Sequence, residues 1–204
     1  SIYVIYKNGV KSSLIFQEKN GIPVIGISGD SGTGKTTLAE LTANFFGRQR
    51  VTLIYGDDVH RWERQDTHWN KLTHLNPAGN LIHAHYRQIR RLKGGKPINR
   101  RHYDHKKGKF TKPILIVPKD LIISEGLHTL FINESNFLYE LKIYLDPDPS
   151  LRLLWKIRRD VKERKYTLDQ ILRQLKDREE DSKKFISPQK YYSDIIVSYK
   201  SEGK

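Results

Sequence analysis

The amino-acid sequence predicts an α/β fold in which helices cover both faces of a parallel β-sheet. Two patterns support this prediction. Short apolar runs alternate with helical segments, and near-continuous apolar runs are typical of parallel strands buried on both faces. One run leads directly into a glycine-rich loop and then into a helix. Strands are predicted at residues 23–28, 51–55, 120–125, 141–145 and 195–198.

Two further segments show strand patterns outside this core. Asn8 and Gly9 separate apolar stretches at residues 2–6 and 13–16, which predicts a β-hairpin. Residues 96–118 are predicted to form two extended segments around an exposed turn at 106–108. We therefore expect an N-terminal β-hairpin extension and one main domain, and the predicted bounds are 1–20 for the extension and 21–204 for the domain.

Apolar periodicity and capping patterns predict the helices. The last of them begins with Thr167 followed by Gln170, which is an N-cap pattern. Residues 60–78 show no regular period, and the Pro77 region marks a break before the second helix. Helices are predicted at residues 35–47, about 80–93, 150–163 and 167 to about 182.

The glycine-rich loop reads Gly29-Asp-Ser-Gly-Thr-Gly-Lys-Thr-Thr37 and lies between a predicted strand and a predicted helix. Its glycines allow backbone N–H groups to turn toward a polyphosphate, and the positive helix N-terminus favours the same anion. Lys35 can reach the outer phosphates, and the Thr36 hydroxyl can bind Mg²⁺. The pattern predicts a P-loop NTPase-type sheet that binds a nucleoside triphosphate. The predicted nucleotide-binding residues of the loop are Gly29, Asp30, Ser31, Gly32, Thr33, Gly34, Lys35, Thr36 and Thr37.

Acidic side chains follow two other predicted strands. Asp57 and Asp58 come after the second strand, and Glu125 ends the third. The carboxyl ends of parallel strands are where open α/β sheets bind ligands, so these acids are expected beside the phosphate loop. Phosphoryl transfer needs a metal on the phosphates and a carboxylate on the attacking hydroxyl. Asp57 is the candidate base, and Thr36, Asp57 and Glu125 are the candidate Mg²⁺ ligands.

Three basic side chains lie just beyond the candidate base. His60, Arg61 and Arg64 would suit an acceptor that already carries an anionic group, because guanidinium pairs with phosphate through two hydrogen bonds. The alternative is a surface loop with incidental charges.

The third predicted helix is strongly basic. Lys156, Arg159 and Asp160 fall near one face, and Arg164 follows one turn later. This helix could belong to a lid at about residues 150–170 that supplies cations to the transferred phosphoryl group, with Arg158 on the nucleotide. A plain surface helix with an Asp160–Arg164 pair would show the same pattern.

Several motifs together resemble the phosphoribulokinase/uridine kinase family over residues 22–197. They are the glycine-rich loop, Gly56-Asp-Asp-Val-His-Arg61, Tyr103-Asp-His105, Glu125-Gly-Leu-His128, Trp155-Lys-Ile-Arg-Arg-Asp160 and Ser187-Pro-Gln-Lys-Tyr-Tyr-Ser-Asp194. The resemblance implies a kinase that uses ATP and Mg²⁺. It implies catalytic roles for Lys35, Asp57, Lys156, Arg159 and Asp160. It implies substrate contacts for His60, Arg64, Tyr103, His105, His128 and Arg164.

Within this family the details lean toward phosphoribulokinase, so the expected acceptor is a small phosphorylated sugar such as ribulose 5-phosphate. A uridine/cytidine kinase is the alternative enzyme. A neutral nucleoside would not offset the free-energy cost of burying the cations His60 and Arg64, which argues against this alternative. A non-catalytic nucleotide- or RNA-binding domain is the third reading. The presence of Lys35, Thr36 and Glu125 argues against it, so nucleic acid is not the expected partner.

Composition sets the remaining limits. The formal net charge is +14, which fits a solvated lysine-rich surface, a cleft for phosphorylated ligands or a nucleic-acid surface. The sequence has no cysteine, which excludes disulfides and thiol regulation, and no apolar run long enough for a bilayer span. We expect a cytoplasmic protein, and a piece of a longer one since it begins at Ser1 without any Met. An unpaired hairpin edge would favour a homo-oligomer.

Overall fold

The computed structural model describes residues 2–6, 21–69 and 72–200, with the backbone alone at 2–6, 163 and 164. The strands in chain order are β1 Ile2–Tyr6, β2 Val24–Gly29, β3 Val51–Tyr55, β4 Ile98–Arg100, β5 Tyr103–Asp104, β6 Lys109–Phe110, β7 Ile114–Ile116, β8 Leu121–Gly126, β9 Leu141–Leu145 and β10 Ile195–Tyr199. The helices are α1 Lys35–Phe45, α2 Ile82–Lys93, α3 Pro149–Arg164 and α4 Leu168–Asp181.

The main sheet has the strand order β1-β10-β9-β2-β8-β3. All pairs from β10 to β3 are parallel, so the predicted five-stranded parallel sheet is confirmed. β1 joins the outer edge by pairing antiparallel with β10. The second stretch of the predicted hairpin, residues 13–16, lies outside the described residues. The two-part domain division with its hairpin extension therefore stays a prediction.

Two apolar layers cover the sheet. On one face, Ile89 and Leu92 of α2 pack with Val24 and Ile122. On the other face, Ala39 and Ala43 of α1 pack with Ile27 and Ile123. Strands buried on both faces explain the near-continuous apolar runs in the sequence. No helix in the described ranges is both long and apolar enough to traverse a lipid bilayer.

The predicted helix start at Thr167 is confirmed in atomic detail. Its hydroxyl accepts a hydrogen bond from the Gln170 backbone N–H, and the Gln170 side chain accepts one from the Thr167 N–H. This reciprocal capping box satisfies two N–H groups that the helix itself leaves unpaired.

The segment at 96–118 is more broken than the sequence pattern suggests. Instead of two continuous extended segments it forms four short strands, which pair as β4 with β7 and β5 with β6. The outer pair ends where the Arg100 side chain turns into the protein to meet Asp58. Pro113 precedes β7 and donates no backbone hydrogen bond, which limits the ladder on that side.

The ends of β3 and β8 meet at a close backbone contact between Gly56 and Gly126. A Cβ atom on either glycine would lie 2.8 Å from the Cα of the other. In the parallel register Tyr55 stands beside Glu125. The contact therefore brings the residues that follow β3 next to the carboxylate that β8 carries.

This contact predicts that alanine destabilises the fold more at position 126 than at position 94. Gly126→Ala should lower the free energy of unfolding by about 1–3 kcal/mol, because its Cβ would meet backbone atoms that cannot rotate away. Gly94→Ala is the matched control, since its Cβ would meet nothing nearer than 3.6 Å. It should change the stability by less than about 0.5 kcal/mol. Denaturant unfolding measures both values, and equal losses would contradict the role given to the contact.

Candidate active site

The phosphate loop folds as the sequence predicts. Gly32 and Gly34 have φ angles of 83° and 90°, which residues with a Cβ rarely adopt. Gly34 also serves as the N-cap of α1, so the helix N-terminus points into the loop. The Lys35 ammonium donates a hydrogen bond to the carbonyl oxygen of Asp30 at 2.8 Å, which folds the lysine back over the loop.

Thr36 and Glu125 lie together beside this loop. The Thr36 hydroxyl donates to Glu125 Oε1 at 3.2 Å. Burial raises the pKa of Glu125 to about 7, opposed by Lys35 and reinforced by the charge of Asp57. Desolvation lowers the pKa of Lys35, although Glu125 and Asp57 oppose the shift. A hydroxyl and a carboxylate are the oxygen ligands that Mg²⁺ prefers in kinase sites, so this pair fits the metal.

The described residues contain no cluster of three histidine or carboxylate side chains that could hold a metal by themselves. Magnesium in nucleotide sites is commonly held by one or two protein oxygens together with phosphates and water. Thr36 and Glu125 lie together in this way, and the assignment of Thr36, Asp57 and Glu125 as Mg²⁺ ligands stays a prediction.

Asp57 is held by two imidazoles. His105 Nε2 donates to Asp57 Oδ2 at 2.9 Å, and His60 Nε2 lies 3.7 Å from Asp57 Oδ1. Partial burial alone would raise the pKa of Asp57. The hydrogen bond from His105 and the charges of His60, His105 and Lys35 outweigh burial and hold the pKa well below its ordinary value. The carboxylate is therefore ionised at neutral pH.

The neighbouring acid Asp58 has a different environment. It is buried and accepts hydrogen bonds from Arg100 Nε at 3.1 Å and from the Tyr103 backbone N–H at 2.9 Å. His102 also lies 2.9 Å from its second oxygen. Arg100 further donates to the carbonyl of Tyr55. Asp58 therefore ties the 98–110 segment to the end of β3 and does not face the phosphate loop.

A cavity of about 260 Å³ opens beside Asp57. Aromatic rings form much of its wall, with Trp69 stacked on Tyr103 at 5.9 Å and His60 edge-on to Tyr103 at 5.3 Å. The described residues on its wall include Ser31, Asp57, His60, Arg64, Trp69, Tyr103, His105, Tyr166, Gln174, Asp177 and Arg178. The structure thus brings together four of the six predicted acceptor residues, namely His60, Arg64, Tyr103 and His105.

Arg64 is anchored at one end of its guanidinium. Nη2 donates to the carbonyl of His105 at 2.6 Å, and the arginine side chain packs against Gly108. The buried Nε atom has no hydrogen-bond partner among the residues that the structure describes. A buried guanidinium N–H without a partner is costly, and the Arg64 side chain is among those that line the cavity.

The other two predicted acceptor residues are placed differently. His128 is buried behind the cavity, where its Nε2 donates to the carbonyl of Leu75 at 2.9 Å. Burial lowers the pKa of His128 to about 4, so the ring is neutral. Arg164 ends α3, and its side chain lies outside the described part of the chain.

Helix α3, predicted to belong to a lid, packs directly on the phosphate loop. A Cβ on Gly32 would lie 3.1 Å from the Cβ of Lys156. Lys156 and Asp160 are completely buried and joined by a hydrogen bond of 2.5 Å, and Arg159 Nε donates to the same carboxylate at 2.9 Å. The sequence places these residues on one face, and the structure shows that this face is interior.

Asp30 links the phosphate loop to α3 and to the residue that follows α4. Its carboxylate accepts hydrogen bonds from Arg152 of α3 and from the Ser182 hydroxyl that follows α4, the latter at 2.5 Å. Its second oxygen accepts from the Ser31 backbone N–H. The sequence gives no local sign of these contacts, because the partners are more than a hundred positions away.

A second cavity, of about 630 Å³, begins at the phosphate loop. Leu38, Leu41, Trp155 and Tyr199 line its far side, and Arg159 lies at its edge. The buried Nη2 of Arg159 has no partner within the described ranges. Arg158 is exposed on α3 and is not among the described residues of this wall.

The α4 residues of the acceptor cavity are absent from the sequence predictions. Tyr166, Gln174, Asp177 and Arg178 reach the wall from the α3–α4 turn and from α4. Their spacing in the helix resembles an ordinary polar face. The sequence carries one indirect signal. Because α4 directly follows α3, it is expected to lie near the same site.

A parallel sheet that ends in a phosphate loop, with Asp57 and Glu125 at the ends of the next two strands and the basic helix α3 packed on the loop, defines the P-loop kinase class. A more specific assignment comes from comparison with known proteins. The model of the Phosphoribulokinase / Uridine kinase family matches residues 24–203, and the chain belongs to this family.

Relatives from both branches match. The phosphoribulokinase of Synechocystis sp. is 35% identical over 176 residues, which span 86% of this chain and 53% of that protein. The uridine kinase of Latilactobacillus sakei is 32% identical over 188 residues, which span 88% of this chain and 87% of that protein. The chain thus spans about half the length of the phosphoribulokinases that it matches. The solved phosphoribulokinase from Rhodobacter spheroides shares the fold with a TM-score of 0.74 at 23% identity, covering 91% of this chain and 73% of that one.

The raised pKa of Glu125 predicts a pH-dependent stability. The folded chain keeps the Glu125 proton up to about pH 7, whereas the unfolded chain releases it near the ordinary glutamate pKa of 4.5. The unfolded state therefore binds fewer protons in this window, and wild-type stability falls as pH rises through it. In metal- and nucleotide-free buffer, Glu125→Gln should gain stability over wild type by on the order of 1–3 kcal/mol between about pH 5 and about pH 8.

Denaturant unfolding at the two pH values measures this gain. Glu134→Gln is the matched control, because Glu134 is an exposed glutamate in the turn Asn133–Leu138. Its stability difference from wild type should not grow with pH. A Glu125→Gln difference that is also independent of pH would show that Glu125 is ionised throughout.

Proposed function

We propose that this chain transfers the γ-phosphoryl group of ATP to a hydroxyl of a sugar phosphate, with ribulose 5-phosphate as the favoured acceptor. The observation that carries the proposal is that Arg64 lies on the wall of a cavity that also holds Asp57. A reactive carboxylate and a guanidinium in one cavity suit a ligand that has both a hydroxyl and an anionic group.

Two guanidinium groups, Arg64 and Arg178, lie on the wall and could bind the phosphate of an acceptor. The wall also carries two carboxylates, Asp57 and Asp177. A phosphate group would replace the hydrogen bonds that a buried guanidinium loses to desolvation, whereas a neutral nucleoside offers weaker acceptors. The volume of about 260 Å³ also suits a small, compact ligand.

The residues divide the chemistry among them. Asp57 is ionised, so it can accept a hydrogen bond from the attacking hydroxyl, orient it and take its proton as the bond to phosphorus forms. Lys35 and Arg159 lie on the nucleotide side, where cations offset the charge that develops on the transferred group. Thr36 and Glu125 would hold Mg²⁺, which would neutralise charge on the phosphate groups.

A uridine or cytidine kinase is the second candidate. The aromatic wall formed by Trp69, Tyr103 and His74 favours it, because base rings stack on such side chains. The match to a uridine kinase over most of both chains points the same way. Against it stands Arg64, a cation on the cavity wall for which a neutral nucleoside offers no anionic partner.

A coupled ADP-release assay separates the two candidates. The acceptor panel is ribulose 5-phosphate, ribose 5-phosphate, unphosphorylated ribulose, uridine and cytidine, each with ATP and Mg²⁺. We expect turnover with a pentose phosphate and at least about a hundredfold lower kcat/KM for the unphosphorylated sugar. Asp57→Asn should remove the turnover and serves as the background. Turnover with uridine and with neither sugar phosphate would reject the proposal in favour of a nucleoside kinase.

Arg64→Ala tests the phosphate contact separately. It should raise the KM of the sugar phosphate about 10–100-fold, because a hydrogen bond to a charged group is lost, and leave the KM of ATP unchanged. Arg61→Ala is the matched control. Arg61 is exposed, donates to the carbonyl of Ala78 and is absent from the described cavity wall. Equal changes in the two KM values for Arg64→Ala would remove its assigned role.

A further inference from the structure

Asp30 makes two separate sets of contacts. Its backbone carbonyl oxygen accepts hydrogen bonds from the Lys35 ammonium at 2.8 Å and from the Thr33 hydroxyl at 2.9 Å, both within the phosphate loop. Its carboxylate oxygen Oδ2 accepts a hydrogen bond from Nη1 of Arg152, which lies in the first turn of α3. One residue therefore joins the loop to the helix.

Three side chains of α3 follow the phosphate loop along one face of the helix. Arg152 meets Asp30, and one turn later the Cβ of Lys156 lies opposite Gly32, where an added Cβ would be 3.1 Å away. Arg159, a further turn along, lies on the wall of the cavity that begins at the loop. Spacings of four and three residues place these side chains in one row. The axial position of α3 therefore decides where Arg159 lies.

Hydrogen bonds within α3 cannot fix this axial position. Asp160 accepts hydrogen bonds from Lys156 and Arg159, and all three residues belong to the same helix. A shift of α3 by one residue would move Arg159 by about 1.5 Å along the helix axis and leave these bonds intact. The bond between Arg152 and Asp30 instead joins the helix to the loop, so it resists such a shift.

We propose that Asp30 and Arg152 are positioning residues that hold α3 in register with the phosphate loop and so place Arg159 at the terminal phosphate of the nucleotide. The side chain of Arg159 is 31% exposed, which leaves it accessible to a ligand in the cavity. The Ser182 hydroxyl also donates to Asp30 Oδ2 at 2.5 Å, so the carboxylate is held from the end of α4 as well. The terminal phosphate rests on the proposed function, whereas the register of α3 does not.

This proposal divides the backbone of Asp30 from its side chain. The sequence predicts Asp30 as a nucleotide-binding residue with the rest of the loop, and it gives no role to Arg152. A carboxylate is a poor ligand for a polyphosphate, because like charges repel each other. The backbone of Asp30 thus shapes the nucleotide site, and its carboxylate holds the helix that carries Arg159.

Calorimetric titration with two nucleotides tests this placement without any acceptor. In the presence of Mg²⁺, Arg152→Ala should raise the Kd of a non-hydrolysable ATP analogue about three- to tenfold, because a cation at the terminal phosphate is misplaced. The Kd of ADP, which lacks that phosphate, should change by less than about twofold. Lys162→Ala is the matched control, since it removes one positive charge from an exposed position of the same helix. It should leave both Kd values within about twofold of wild type.

A double-mutant cycle shows whether the pair acts through Arg159. In the Arg159→Ala background, Arg152→Ala should raise the Kd of the ATP analogue by less than about twofold. Arg152→Lys keeps a cationic donor for Asp30, so its Kd for the analogue should stay within about threefold of wild type. Arg152→Met keeps most of the aliphatic side chain without a donor, and it carries the same expectation as Arg152→Ala if that variant fails to fold.

Unchanged Kd values for both nucleotides in Arg152→Ala would overturn the proposal. An equal rise in both values would also overturn it, because the pair would then support the loop as a whole. A full Arg152→Ala effect in the Arg159→Ala background would do the same, since the two residues would act independently.

Steady-state kinetics separate this proposal from the proposed function. With an acceptor that the ADP-release assay identifies, Arg152→Ala should lower kcat about three- to tenfold and change the acceptor KM by less than about twofold, because Arg159 lies on the nucleotide side. A selective loss of analogue affinity in a chain that turns over no acceptor would refute the proposed function and leave the positioning in place. An active kinase in which Arg152→Ala behaves like Lys162→Ala would refute the positioning and leave the proposed function in place.

Discussion

The site depends on one backbone contact, the approach of Gly56 to Gly126 at the ends of β3 and β8. Neither residue has a side chain to separate the strands, and a single Cβ would lie 2.8 Å from the opposite Cα. Because the strands meet there, Asp57 follows immediately beside Glu125. The Asp58–Arg100 pair then fastens the 98–110 segment to the same point, and that segment carries Tyr103 and His105 into the cavity.

The pKa values of the two carboxylates near the phosphate loop, Glu125 and Asp57, are shifted in opposite directions. Burial raises the pKa of Glu125 to about 7, whereas hydrogen bonding and imidazole charge lower the pKa of Asp57. Pairs of titratable groups with diverging pKa values are characteristic of sites that divide acid, base and metal roles. In the proposed enzyme, Asp57 stays ionised for the acceptor hydroxyl. Glu125 becomes fully ionised when a cation joins it, so binding the metal and charging its ligand are coupled.

Much of this architecture was accessible from the sequence because it is locally encoded. Five apolar runs gave the parallel strands, and the glycine-rich loop placed Lys35 and Thr36 beside Glu125 through the geometry of strand ends. The broken hairpin at 96–118 was not accessible, since it depends on Arg100 reaching an acid 42 positions away. For the same reason, the structural role of Asp58 and the position of α4 at the cavity could not be predicted from the sequence. For Lys156 and Asp160, the helical spacing correctly predicted a shared face of the helix. It could not predict whether that face is exposed to water or packed on the phosphate loop.

The central claim is that one cavity binds the phosphate of a sugar phosphate at Arg64 and its reacting hydroxyl at Asp57. A crystal structure with ribulose 5-phosphate, Mg²⁺ and a non-hydrolysable ATP analogue tests this most directly. We expect a phosphate oxygen within hydrogen-bond distance of the Arg64 guanidinium and a hydroxyl within hydrogen-bond distance of an Asp57 carboxylate oxygen. A sugar phosphate bound with its phosphate away from Arg64, or with no hydroxyl at Asp57, would contradict it.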